Sequence, residues 1–176
     1  MLRRDDPVTG YAKAVLAGRL YHGQSCLSGP YVRLACRRHL RDLQRTDITF
    51  NVEKAQRAID FFPEVLMLSE GEHAGNPFEL SPFQAFIVGS VFGWENDEGY
   101  RRFRVVFVES GKGSGKSPLC AGIGLYLLTA DNEPSAEVYA AAVTRDQAKI
   151  MFVDAEKMVT ASNALSSRLI LTQIGR

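Results

Sequence analysis

The stretch Phe103-Arg104-Val105-Val106-Phe107-Val108-Glu109, Ser110-Gly111-Lys112-Gly113-Ser114-Gly115-Lys116-Ser117, Pro118-Leu119-Cys120-Ala121-Gly122-Ile123-Gly124-Leu125-Tyr126 decides the fold. It passes from an apolar run of strand length through a glycine-rich loop into an apolar helix. Alternating glycines let the backbone curl so that its N–H groups converge on an anion. The first turn of the following helix adds its positive dipole end. Lys116 is placed to reach the β- and γ-phosphates of a nucleotide, and the Ser117 hydroxyl to ligate Mg²⁺. Pro118 costs little there, because first-turn N–H groups lack helical partners. The strict pattern G-x-x-x-x-G-K-[ST] would put glycine at position 110; Ser110 stands there, with Gly111 one place later. A GKS tripeptide alone would also fit an ordinary structural turn. Its placement between strand and helix is what selects nucleotide binding through Ser110, Gly111, Gly113, Ser114, Gly115, Lys116 and Ser117. Lys112 is either a solvent-facing loop lysine or a second cation that stabilises charge as a phosphoryl bond breaks.

Downstream, AEVYAAAV (136–143) reads as a second strand, TRDQAKIMFVDAEKMV (144–159) as a second helix and SRLILTQI (167–174) as the start of a third strand. Strand–helix alternation predicts an α/β fold, a P-loop NTPase whose parallel sheet is flanked by helices and is incomplete at its C-terminus. Upstream, the reading is helical. Ser28-Gly29-Pro30 announces one helix, VEKAQRAIDFFPEVLML (52–68) runs in helical register until Pro63 interrupts it, and PFQAFIVGSVFGW (82–94) is an apolar helix. SEGEHAGNPFELSP (69–82) reads as a linker. The expected division is a helical N-terminal region over 1–75 and the first part of a P-loop ATPase domain over 76–176.

The 176 residues carry 21 Lys+Arg against 20 Asp+Glu, with 45% apolar and 23% charged residues. This composition excludes disordered, collagen-like and disulfide-scaffold chains. No apolar run approaches the roughly 20 residues needed to cross a bilayer, and the N-terminus lacks the apolar core of a secretory signal. The expected compartment is the cytoplasm. Neutrality hides an asymmetry. Residues 1–45 hold Arg3, Arg4, Lys13, Arg19, Arg33, Arg37, Arg38, Arg41 and Arg45 against Asp5, Asp6 and Asp42, a charge of +6, which leaves the rest at −5. Arg33, Arg37, Arg41 and Arg45 recur at every fourth position. Such a stripe either meets a polyanion or is a solvated helix face, with Val32, Ala35, Cys36, Leu40 and Leu43 as the apolar side. His22-x3-Cys26 and Cys36-x2-His39 have the residue types of a tetrahedral zinc site, although the second pair falls inside a continuous helix. Buried free thiols are the alternative.

The runs LSPFQAFIVGSVFGW, RRFRVVFVESGKGSGKSPLCAGIGLYLL and EVYAAAVTRDQAKIMFVDAEKMV together resemble the ATPase domain of the large terminase subunit of tailed bacteriophages. RLACRRHLRDL and AIDFFPEVLMLSEGEHAGNPFEL are similar to that family's N-terminal region. The resemblance implies an ATP-driven motor that moves double-stranded DNA into a procapsid in the bacterial host cytoplasm. Its partners would be a small terminase subunit, the portal protein and further copies of itself, with no membrane, and its cofactors ATP and Mg²⁺. Gln84 matches the adenine-recognition glutamine, whose amide pairs with both N6 and N7 of adenine; a helix-capping glutamine would look the same in sequence. Lys116 and Ser117 match the phosphate-binding lysine and the Mg²⁺ hydroxyl. Lys112, which would share catalytic work with Lys116, falls where relatives carry an arginine finger and lacks its bidentate fork. TRDQA (144–148) matches a segment near the nucleotide. No apolar run after the loop ends in the Asp of a Walker B strand, so low ATPase turnover is expected. The carboxylate-rich nuclease half of the family, an endonuclease, has no counterpart. Two other readings remain in the sequence: a small-molecule P-loop phosphotransferase, and a DNA- or partner-binding module with an inert loop.

Overall fold

A computed structural model describes residues 6–26, 28–68, 70 and 72–172. Arg3, Arg4 and Asp5 of the basic segment, and the last two residues of the strand expected over 167–174, lie outside the described residues. The chain divides into two compact units. One comprises Met1–Asp60 with Leu80–Val108, the other Phe61–Glu79 with Glu109–Arg176, and the boundary expected at 75/76 falls inside the second.

The first unit is built on helices. α1 (Pro7–Ala17) starts where the Asp6 carboxylate accepts hydrogen bonds from the Val8 and Thr9 N–H groups, with Pro7 in the first turn. It stops at Gly18, whose φ of 64° closes the helix. Val8, Tyr11, Ala12 and Val15 recur on one face and are buried there. This helix was absent from the sequence expectation. α2 (Pro30–Asp42) packs on α1. β1 (Ile48–Phe50) leads into α3 (Val52–Val65), which carries Pro63 in its last turn. The proline therefore trims the helix end instead of bending its middle. α4 (Pro82–Gly93) packs on α1 and leads into β2 (Trp94–Asn96). At Gly89 a Cβ would come within 2.4 Å of Val8 Cγ2. Hydrogen alone fits between those helices.

At the centre of this unit His39 is 3% exposed. The Trp94 indole N–H donates to its Nδ1 at 3.1 Å, and Thr9 Oγ1 lies 2.9 Å from its Nε2. An indole nitrogen only donates, so the imidazole proton sits on Nε2 and is given to Thr9. α1, α2 and β2 are thereby tied through one neutral ring. Asp42, fully buried, accepts from Arg102 Nη2 at 2.8 Å and from Arg41 Nε at 3.1 Å, and Arg102 also lies over the Trp94 ring.

The second unit contains α5 (Lys116–Thr129), packed on α6 (Arg145–Ala161), and the short α7 (Asn163–Ser166). Phe61 stacks edge-on against Tyr126, and Phe62 against Phe78. Gly122 brings α5 close to these rings, where a Cβ would meet Phe62 Cε1 at 2.4 Å.

The fold is mixed helix and sheet, but the expected parallel sheet is not formed among the described residues. The sole ladder there is antiparallel, β1 with β2, in the register Ile48–Asn96, Thr49–Glu95 and Phe50–Trp94. The segments 103–109 and 136–143 run without a ladder partner. Val105, Phe107, Tyr139 and Val143 are 87%, 86%, 81% and 96% exposed. An apolar run expresses a preference for strand. The strand itself exists only when neighbours satisfy its N–H and C=O groups and helices cover both its faces. Residues 167–172 are turn and coil. None of the described helices is long and apolar enough to cross a membrane.

Candidate phosphate-binding loop

The loop from Ser110 to Ser117 enters α5 through Gly115, whose φ is 74°, and Gly113 has φ 81°. Those two positions require glycine, because an L side chain in that region meets its own backbone. Ser110 and Gly111 have no positive φ. Position 110 is therefore sterically open to serine, which explains how the loop forms without the glycine of the strict pattern.

Lys116, the first residue of α5, folds back over the loop. Its Nζ donates to the Ser110 carbonyl at 2.6 Å and to the Gly111 carbonyl at 2.8 Å. Ser110 Oγ and Ser114 Oγ are 2.6 Å apart, and Ser114 Oγ donates to the Gly111 carbonyl at 2.9 Å. The N–H groups of Lys112, Gly113 and Gly115 have no hydrogen-bond partner among the described residues. A Cβ at Gly111 or Gly113 would meet nothing within 4 Å. The loop thus offers unpaired N–H donors, an ammonium group held in place by carbonyls, and the N-terminal end of a 14-residue helix. That arrangement has the chemistry to receive an oxyanion. Lys112 is exposed beside it, and Ser117 lies exposed in the first turn of α5, where a hydroxyl can join a hard cation's oxygen shell.

The other sequence candidates are placed differently. Gln84 belongs to the first unit and is buried in the first turn of α4. Its Oε1 accepts from the Ser81 N–H at 2.9 Å and from Ser81 Oγ at 2.8 Å. Both carbonyl lone pairs are thus used in a helix cap, the capping alternative stated above. Thr144 caps α6 by accepting from the Gln147 N–H at 3.3 Å. In the arginine stripe, Arg33 donates to the carbonyls of Val15 and Leu16, closing the C-terminal end of α1. Arg41 pairs with Asp42, and Arg45 with Asp47. Three of the four stripe residues therefore have partners within the chain, and Arg37 is exposed. At the suggested zinc ligands, both ring nitrogens of His39 are committed to Thr9 and Trp94. The Cys36 thiol is pushed up to about 11 by burial and the neighbouring Cys26, against the opposing charge of Arg33. A protonated thiol and an imidazole without a free lone pair are poor ligands, and the described residues contain no group of His, Cys, Asp and Glu suited to a metal.

One concavity escaped the sequence reading. A hollow of about 350 Å³ on the second unit is lined by Glu70, Asp146, Lys149 and Ile150, then by Val153, Asp154 and Lys157. The Asp154 carboxyl is raised by burial and by Glu70, against the pull of Lys157. Lys157 is ion-paired to Glu70.

A glycine-rich loop with its helix-start lysine seated on the loop's own carbonyls has the features of the phosphate-binding-loop class. Comparison with known proteins narrows the class. The family described as terminase large subunit, ATPase domain, matches residues 82–173, more than half of the chain. The chain belongs to that family. It is also 28% identical over 124 residues to the large terminase subunit of Enterobacteria phage HK97, an alignment that covers 70% of this chain and 24% of that protein. The chain thus spans about a quarter of that relative's length. No solved structure matches it.

Proposed function

We propose that this chain is the N-terminal ATPase part of a phage large terminase subunit, which binds Mg²⁺·ATP on the loop 110–117 and serves a motor that packages double-stranded DNA into procapsids. The observation that carries the reading is the seat of Lys116 on the Ser110 and Gly111 carbonyls, inside the segment that matches the terminase ATPase family. In this reading the N–H groups of Lys112, Gly113 and Gly115 hold the phosphate oxygens, and the Lys116 ammonium, with two protons on the Ser110 and Gly111 carbonyls, gives its third to the β- and γ-phosphates. Lys112 adds charge beside the γ-phosphate. The Ser117 hydroxyl would hold Mg²⁺, which when bound neutralises phosphate charge as the bond to the γ-phosphoryl group loosens. Partners in the working motor are double-stranded DNA, a small terminase subunit, the portal protein and other copies of the large subunit, in the host cytoplasm. The test is calorimetric titration of the chain with Mg²⁺·ATP. Lys116→Ala weakens binding at least about tenfold, roughly the worth of one charge-assisted contact. Equal affinity in wild type and variant would remove the proposal.

A further inference from the structure

The geometry points to a second role inside the same loop: Ser110 and Ser114 are positioning residues whose hydroxyls staple the loop into its phosphate-receptive shape. The inference rests on the nucleotide-binding reading above and concerns how this loop dispenses with its first glycine.

The hydrogen bonds close on themselves. A carbonyl oxygen only accepts, so the Ser114 hydroxyl proton is given to the Gly111 carbonyl at 2.9 Å. Its oxygen must then accept the 2.6 Å bond, which makes Ser110 the donor. Lys116 Nζ supplies the remaining links, to the Gly111 carbonyl at 2.8 Å and the Ser110 carbonyl at 2.6 Å. The path therefore runs from the Ser110 side chain through Ser114, Gly111 and Lys116 back to the Ser110 backbone. The Gly111 carbonyl has both lone pairs engaged. Ser110 and Ser114 are half-buried, whereas Gly111, Lys112 and Gly113 are exposed; the staple hydroxyls occupy the more buried part of the loop and leave the exposed residues' N–H groups unengaged.

The need for such a staple follows from composition. Gly111, Gly113 and Gly115 sample backbone conformations that other residues cannot, so the loop loses unusual entropy when its N–H groups are made to converge. A ring of bonds formed before the ligand arrives reduces that loss, which is preorganisation. A glycine at 110 would complete the strict pattern and remove the donor. Since position 110 has no positive φ, glycine there gains nothing sterically and adds freedom to the unbound loop.

The test is Mg²⁺·ATP titration of the full chain and its variants, with thermal melts run alongside. Ser110→Gly, which restores the strict glycine pattern, should weaken binding about fivefold, as should Ser110→Ala and Ser114→Ala, the size expected for one or two neutral hydrogen bonds. The double variant should bind no more weakly than about the weaker single, because both changes open the same ring. Ser110→Thr, which keeps the hydroxyl, should stay within about twofold of wild type. Wild-type affinity in Ser110→Gly, multiplying effects in the double variant, or a shift in melting temperature with unchanged affinity would each overturn the staple while leaving the nucleotide site standing. If wild type itself fails to bind Mg²⁺·ATP, the nucleotide reading falls and the staple's role falls with it.

Discussion

Protonation of His39 should loosen the first unit as the pH drops from 6.5 towards 5, above the range in which most carboxylates are protonated. Burial holds the imidazole down at about 4, with Arg38 adding to the effect while Asp6 and Asp42 oppose it. The free side chain titrates near 6.5. A base whose folded value lies below its unfolded value takes up protons preferentially in the unfolded state. Its contribution is therefore complete above pH 6.5 and is lost as pH falls. For values of about 4 and 6.5, the loss between pH 7 and pH 5 is about 2 kcal/mol, and the limiting loss below pH 4 is about 3 kcal/mol. The local cause is concrete. A proton on Nδ1 would set two donors, imidazolium and the Trp94 indole, against each other across 3.1 Å. Trp94 is the chain's one tryptophan and is 1% exposed, so its fluorescence reports this unit's unfolding directly. Urea midpoints taken by Trp94 emission at pH 7 and pH 5 should differ markedly for wild type. His39→Gln should be less stable at pH 7 yet show a smaller difference, since it has no proton to take up. Identical pH slopes in the two proteins would refute the assignment of the acid sensitivity to His39.

Two substitutions test the close approaches in the second unit. Gly115→Ala places a Cβ on a residue with φ of 74° and should cost about 1–2 kcal/mol of loop strain, measured as a roughly 5- to 30-fold loss of Mg²⁺·ATP affinity. Gly122→Ala drives a methyl to 2.4 Å from Phe62 Cε1 and 3.0 Å from Leu66 Cδ1. It should lower stability by about 1–3 kcal/mol through overpacking, seen as a depressed melting temperature that Phe62→Leu partly restores.

What the sequence made legible is what short-range chemistry decides. α4, α5 and α6 start at Ser81, Gly115 and Thr144, residues that cap or turn within one helical step of the element they announce. The glycine-rich loop is equally local, because the donors, acceptors and glycines that shape it all lie within eight consecutive residues. α1 had comparable signals, an Asp6-Pro7 start, apolar residues at helical spacing and Gly18 at the end. The remaining differences are long-range. Nothing near His39 in the chain indicates that Thr9 and Trp94, 30 and 55 positions away, occupy its two nitrogens. Nothing near Arg33 shows that it closes α1 through Val15 and Leu16. The segments 103–109 and 136–143 have strand composition, but a ladder is a property of two segments, and the partner is not written in either one.

The same distinction explains why a glycine pattern is a poor guide to this loop. The strict motif treats its first and last glycines alike, yet they answer to different physical demands. The glycine before Lys116 sits at φ of 74° and has no substitute among L residues without strain. Position 110 has ordinary backbone angles, and what it must supply is a carbonyl aimed at Lys116 Nζ, at 2.6 Å here. Any residue offers that carbonyl. Serine offers a hydroxyl as well, placed to bond Ser114. A departure from the motif at 110 is therefore compatible with the phosphate-receptive geometry, whereas losing the glycine at 115, or the one at 113 that the motif leaves open, would break it. The informative reading of such a loop is of its backbone angles and its carbonyl directions, position by position, and these set apart the glycines that are required from the one that is not.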